Sequence, residues 1–199
     1  MDRSLVLIAL FAAFVAALGL VPPITLPLGV PITAQSLGVM LCGTILGARR
    51  GALAVLLFLL LVAAGLPLLS GGRGGLGVFT GPTAGFLFGF PIAAFIAGMV
   101  VERIRGLDVR WTAMLGAFVG GIVALYLCGI GGLMALHGMS VTAAAVAVGK
   151  FIPGDMIKVV LTGFITAGLA RARPASVLSL RSTPEAVDDG AAPQPDTGR

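Results

Sequence analysis

Asp155 and Lys158 stand three residues apart in Pro153-Gly154-Asp155-Met156-Ile157-Lys158, within the last long apolar run of the chain. At helical spacing both side chains fall on one face, so a carboxylate and an ammonium are presented together. An ionisable group at membrane depth costs roughly 3 kcal/mol or more, so the pair needs partners or a ligand. Two readings are open. One is a mutual ion pair in the first turn of a helix, where the dipole favours Asp155 but not Lys158. The other is a polar clamp, in which the carboxylate accepts N–H bonds while the ammonium donates to a carbonyl or carboxylate oxygen of a small molecule.

Other chemistries lack their residues. No Gly-x-x-x-x-Gly-Lys-Ser/Thr phosphate loop occurs. His137 is the single histidine and follows an apolar run, which fits an interfacial position and no transition-metal site. An intramembrane aspartyl protease needs two facing carboxylates, whereas the apolar runs hold only Asp155. A serine or cysteine hydrolase has no base near a nucleophile. Cys42 and Cys128 are embedded in apolar stretches without metal-ligand spacing and read as small packed thiols. Arg73, within Gly71-Gly72-Arg73-Gly74-Gly75, offers forked donors suited to a carboxylate, although the glycines alone would also describe a flexible turn.

These groups must be positioned by elements built for lipid. Hydrophobic residues make up 58% of the chain and charged ones 11%, against about a quarter charged in soluble domains. The 199 residues accommodate about six spans of roughly 20 residues. The expected fold is an all-α integral membrane bundle of six transmembrane helices, occupying residues 1–173 as one domain. Span one runs from Ser4 to Val21 and stops at Pro22-Pro23, span two from Thr33 to Gly47, and span three from Gly51 to Leu66 before Pro67. Span four covers Pro82 to Val101 and span five Trp111 to Leu136, with Trp111 as an interfacial anchor. A short extra helix, Ser140 to Gly149, precedes span six, which opens at Pro153 and runs to Ala170. Residues 174–199 are rich in Ser, Pro, Asp and Gly and read as a disordered cytoplasmic tail.

With the N-terminus inside, Arg3, Arg49, Arg50, Arg103, Arg105, Arg110, Arg171 and Arg173 all fall on the cytoplasmic side, as the positive-inside rule requires. Arg73, Lys150, Asp155 and Lys158 are left at the outer side and mark the candidate site. The net charge of +5 is scattered over segment ends, which excludes a nucleic-acid surface. Gly81, Gly85 and Gly89 give span four a flat face for a close neighbour. Ala9, Ala13 and Ala17 form a similar face on span one, suited either to packing inside the bundle or to docking on another protein.

Four segments together resemble the biotin-specific substrate-binding subunits (S components, BioY family) of energy-coupling-factor vitamin transporters. They are Val30-Pro31-Ile32-Thr33-Ala34-Gln35-Ser36-Leu37-Gly38, Gly65-Leu66-Pro67 with Gly71 to Leu76, Gly81 to Phe90, and Pro153 to Lys158, in order across residues 5–172. Ala84 and Phe86 stand where that family often has Gly and Tyr, which keeps an aromatic wall without its hydroxyl. The resemblance implies a bundle in a prokaryotic plasma membrane with both termini cytoplasmic and an outward pocket capped by the first and third connections. It implies that Asp155 and Lys158 contact the vitamin, that Ala9, Ala13 and Ala17 dock on a transmembrane coupling subunit carrying two ATPases, and that the chain is not an enzyme and holds no cofactor. Biotin itself fits these groups: Asp155 would accept from the ureido N–H groups and Lys158 donate to the ureido oxygen, while Arg73 or Lys150 meets the carboxylate. Lys158 serving the carboxylate is equally open. Gln35, Phe79, Thr83 and Phe86 would complete the pocket. A subunit for another vitamin, an enzyme using Asp155, a plain membrane scaffold and a homo-oligomer are the alternatives.

Overall fold

The structure, a computed structural model, describes residues 3–25 and 31–180. Its helices are α1 (Arg3–Leu18), α2 (Gln35–Leu46), α3 (Ala48–Ala63), α4 (Ala84–Arg103), α5 (Val109–His137), α6 (Val141–Gly149) and α7 (Ile152–Ala172). α6 is the short extra helix expected before the last span, and the Ser140 hydroxyl caps it by accepting from the Ala143 N–H at 3.3 Å. Pro153 sits in the first turn of α7, where its missing N–H leaves no helical bond unmade.

Three helices, α4, α5 and α7, are long and apolar enough to cross a membrane, while α1 and α2 are apolar but shorter. This is fewer than the six spans expected. The shortfall has a physical reason in α2, whose 12 residues are buried at all but one position. A helix enclosed by protein need not match the full bilayer thickness. α3 begins with the Arg49-Arg50 pair within its 16 residues, which limits its apolar length.

α4 is the hub, packing on α2, α3 and α5. Glycines let it approach closely. A Cβ on Gly98 would lie 2.3 Å from the Ala48 backbone nitrogen, and one on Gly85 would lie 2.5 Å from the Cys128 carbonyl of α5. Gly89 faces Cys128 as well, but Gly81 meets only the Val78 carbonyl at 3.9 Å, so two of the three expected glycines form the flat face. The α2–α3 corner is a single residue, Gly47, with φ of +87°, and Glu102 Oε1 accepts from the Ala48 N–H at 2.9 Å to cap the start of α3.

Two small features depart from a purely helical chain. Ile24–Thr25 pairs antiparallel with Pro31–Ile32 in the first connection. In the third, Leu69 and Arg73 exchange backbone hydrogen bonds of 3.0 and 3.2 Å around Gly71 and Gly72, which both take positive φ. The glycine segment is therefore a folded turn that returns Arg73 toward the bundle.

Residues 174–180, expected as the start of the tail, are folded against the bundle. Pro174–Ser176 and Leu178–Leu180 form 3-10 turns, Val177 and Ser179 are buried, and Ser179 Oγ donates to the Thr44 carbonyl at 2.5 Å. Val177 and Leu178, isolated in a polar stretch, supply the apolar contact that holds this segment against α2 and α4. Residues 181–199, the remainder of the expected tail, lie outside the described residues, as do residues 26–30.

Gly98→Leu is expected to abolish recovery of folded protein in detergent, because the new side chain meets backbone that cannot rotate away; the cost lies at or beyond the roughly 1–3 kcal/mol of ordinary overpacking. Gly131→Ala, with no heavy atom within 4 Å of the added carbon, should be recovered like the parent in size-exclusion profiles.

Candidate functional site

α7 brings Asp155 to the end of the bundle where the first, third and last connections meet. Its carboxylate is 5% exposed and is held by three helices. Oδ1 lies 2.7 Å from Lys158 Nζ, and Oδ2 accepts from the Tyr126 hydroxyl of α5 at 2.7 Å. Ser36 of α2 accepts from Lys158 at 2.8 Å, with its own proton facing Asp155 Oδ1 at 3.4 Å or the Thr33 carbonyl at 3.5 Å. The pair is thus a mutual ion pair embedded in a network with neutral hydroxyls. A buried pair of this kind contributes little net stability, because desolvation offsets most of the attraction.

The network forms one wall of a cavity of about 70 Å³. Phe86, Phe90, Leu125 and Phe151 supply apolar walls, and Phe86 meets Phe151 edge to face at 6.1 Å. Gly129 makes this possible, since a Cβ there would lie 2.4 Å from the Phe86 ring. Arg73 and Thr83 line the same cavity. Arg73 Nε donates to the Ser70 carbonyl at 3.3 Å, and the rest of its guanidinium has no protein partner among the described residues. Thr83 Oγ1 is buried without a hydrogen-bond partner, a costly condition that a ligand oxygen or N–H would relieve.

Gln35 lines the cavity too, but its amide is occupied elsewhere. Nε2 donates to the Val15 carbonyl at 3.2 Å and the Leu68 carbonyl at 3.0 Å, while Oε1 accepts from the Ser70 N–H at 3.0 Å. It fastens the third connection to α1 and thereby sets where Arg73 sits. Two expected site residues fall outside the cavity lining. Phe79 packs on Phe88 with ring centroids 5.7 Å apart, and Lys150 is exposed at the end of α6. The short turn between α6 and α7 leaves Lys150 on the outer surface, whereas Asp155, one helical turn further on, points inward. Tyr126, Ser36 and Phe151 were not singled out. Tyr126 carried a usable signal: it is the only tyrosine and lies within a long apolar run, where a phenol needs a partner.

Ala9, Ala13 and Ala17 lie on the exposed side of α1, while Ala12 and Val15 are buried. The small-residue face therefore points away from the bundle and does not serve its internal packing.

Gln35→Ala would remove the partner of two buried backbone groups, each at a cost of about 1–3 kcal/mol, and of the half-buried Leu68 carbonyl. Limited trypsin digestion should then cut after Arg73 faster than in the parent; an unchanged rate would mean that other contacts hold the connection.

The BioY family model matches residues 2–175. A biotin transporter BioY of Rhodobacter capsulatus is 52% identical over 188 residues, covering 90% of this chain and 99% of that protein. One of Rhizobium etli is 55% identical over 169 residues, covering 82% of this chain and 90% of that protein. Among solved structures, the crystal structure of the S-component for biotin from an ECF-type ABC transporter aligns with a TM-score of 0.80 and 28% identity, over 86% of this chain and 95% of that one. With a buried carboxylate network, a lined cavity at one end of a helical membrane bundle and these matches spanning nearly its whole packed length, the chain belongs to the BioY family.

Proposed function

We propose that this chain is the biotin-binding membrane subunit of an ECF-type uptake transporter. The observation that carries the proposal is the Asp155–Lys158–Ser36–Tyr126 network facing an apolar cavity. The ureido group of biotin has two N–H donors and one carbonyl, the complement of a carboxylate beside an ammonium. The thiophane ring and valeryl chain match Phe86, Phe90 and Phe151, and the terminal carboxylate matches Arg73 at the rim. Thr83 supplies a hydroxyl to the same ligand. The chain works as a transporter component, not as an enzyme, and has no cofactor of its own.

Six crossings are proposed, with α1, α2 and α3 completing the set. Both termini and the arginine-rich ends of α3, α4 and α7 then face the cytoplasm, and Arg73 and the cavity face outward. Residues 1–180 form one membrane domain under this reading. The outward face Ala9, Ala13 and Ala17 docks on a transmembrane coupling subunit, and ATP is hydrolysed by two ATPases attached to it. The exposed position of that face supports the assignment.

Labelled biotin should bind the detergent-purified chain saturably without ATP or metal. Asp155→Asn should weaken that binding at least about tenfold, the scale of one lost charge-assisted hydrogen bond. Absence of saturable binding by the parent would overturn the assignment, and binding of another vitamin in its place would redirect it within the class. Ala13→Trp should leave biotin binding intact while energised uptake in cells is lost; unchanged uptake would remove the docking face.

A further inference from the structure

Arg110 lies outside the cavity, with its side chain 34% exposed. It opens α5 against α7, and its backbone carbonyl sits so close to Gly163 that a Cβ there would lie 2.9 Å from it. Arg110 is the second residue of α5 and, under the orientation proposed above, stands at the cytoplasmic bilayer interface, where a cation gains from an anionic partner. The protein supplies little. Nε is buried with no hydrogen-bond partner, and Asp108 Oδ1 is 4.0 Å away while accepting from the Arg110 N–H at 2.8 Å.

The surroundings orient this charge. The guanidinium carbon lies 5.0 Å from the Trp111 ring centroid and 5.5 Å from that of Phe164, so rings from two helices flank it. Both rings are more than half exposed, and Leu115 on α5 and Leu161 on α7 continue the exposed apolar surface along the helices. A forked cation at the head of an exposed apolar seam between two spanning helices has the form of a phospholipid site, with a phosphodiester at the cation and an acyl chain along the seam.

We propose that the exposed α5–α7 seam binds one anionic phospholipid, with Arg110 as the phosphate ligand and Trp111 and Phe164 fixing its plane. The site is separate from the biotin cavity. Under the orientation proposed above it draws from the cytoplasmic leaflet, whose anionic lipids favour a cation there.

Native mass spectrometry of the detergent-purified chain tests this, with dioleoylphosphatidylglycerol, dioleoylphosphatidylcholine and inorganic phosphate as separate additives. The parent should retain one phosphatidylglycerol in preference to phosphatidylcholine, and inorganic phosphate should not displace it at equal concentration. Arg110→Met should reduce that retention about fivefold while biotin binding is unchanged. Asp108→Asn keeps a helix-capping side chain but removes the competing carboxylate, so its retention of phosphatidylglycerol should rise even if Arg110→Met folds poorly. Equal retention of the two lipids, displacement by phosphate alone, or no response to Asp108→Asn would overturn the proposal.

Discussion

An ion pair buried at membrane depth is tolerated only when other helices complete its hydrogen bonds, and Asp155 with Lys158 imposes that condition on the whole bundle. Ser36 must come from α2 and Tyr126 from α5, so three helices have to converge on a few ångströms of space. Convergence of that kind needs small residues at the crossings. Gly43 meets Ala94, Gly85 meets Gly132 and Gly98 meets Ala48, each at distances that no side chain would allow.

The α2–α7 contact extends beyond the site. Below Ser36 and Lys158, Thr162 Oγ1 donates to the Lys158 carbonyl at 2.8 Å and faces Met40 Sδ at 3.8 Å, and Thr44 and Thr166 share a hydrogen bond of 3.0 Å. At the far end the Thr44 carbonyl accepts from Ser179. A seam of modest polar contacts therefore runs along both helices and fixes their register, which in turn fixes Lys158 opposite Ser36. Gln35 does the same for the third connection, so Arg73 and Asp155 line one cavity although 82 residues separate them in sequence.

Much of this was legible in the residues. Asp155 and Lys158 stood out because charge is rare in apolar runs, and the short helix before α7 followed from a stretch too short to cross. What stayed hidden depended on tertiary packing. The brevity of α2 reflects enclosure by its neighbours, the inward role of Tyr126 reflects the rotation of α5, and Lys150 lies outside the cavity because a turn separates it from Asp155. The placement of Gln35 in the pocket was foreseen, but not that its amide would be consumed by three backbone partners. Residues 174–180 looked like polar tail because the two apolar residues that anchor them are too few to form a periodic pattern.

The most direct measurement is thermal unfolding of the Asp155→Asn/Lys158→Met double variant with and without biotin. Removing both charges together leaves no uncompensated ion, so the melting temperature in detergent should stay close to that of the parent, at about 2–4 °C per kcal/mol for a chain of this size. The upward shift that biotin produces in the parent should be absent. Loss of folded protein would make the pair a structural element, and a preserved biotin shift would place the vitamin elsewhere; either result would contradict the role assigned to Asp155 and Lys158.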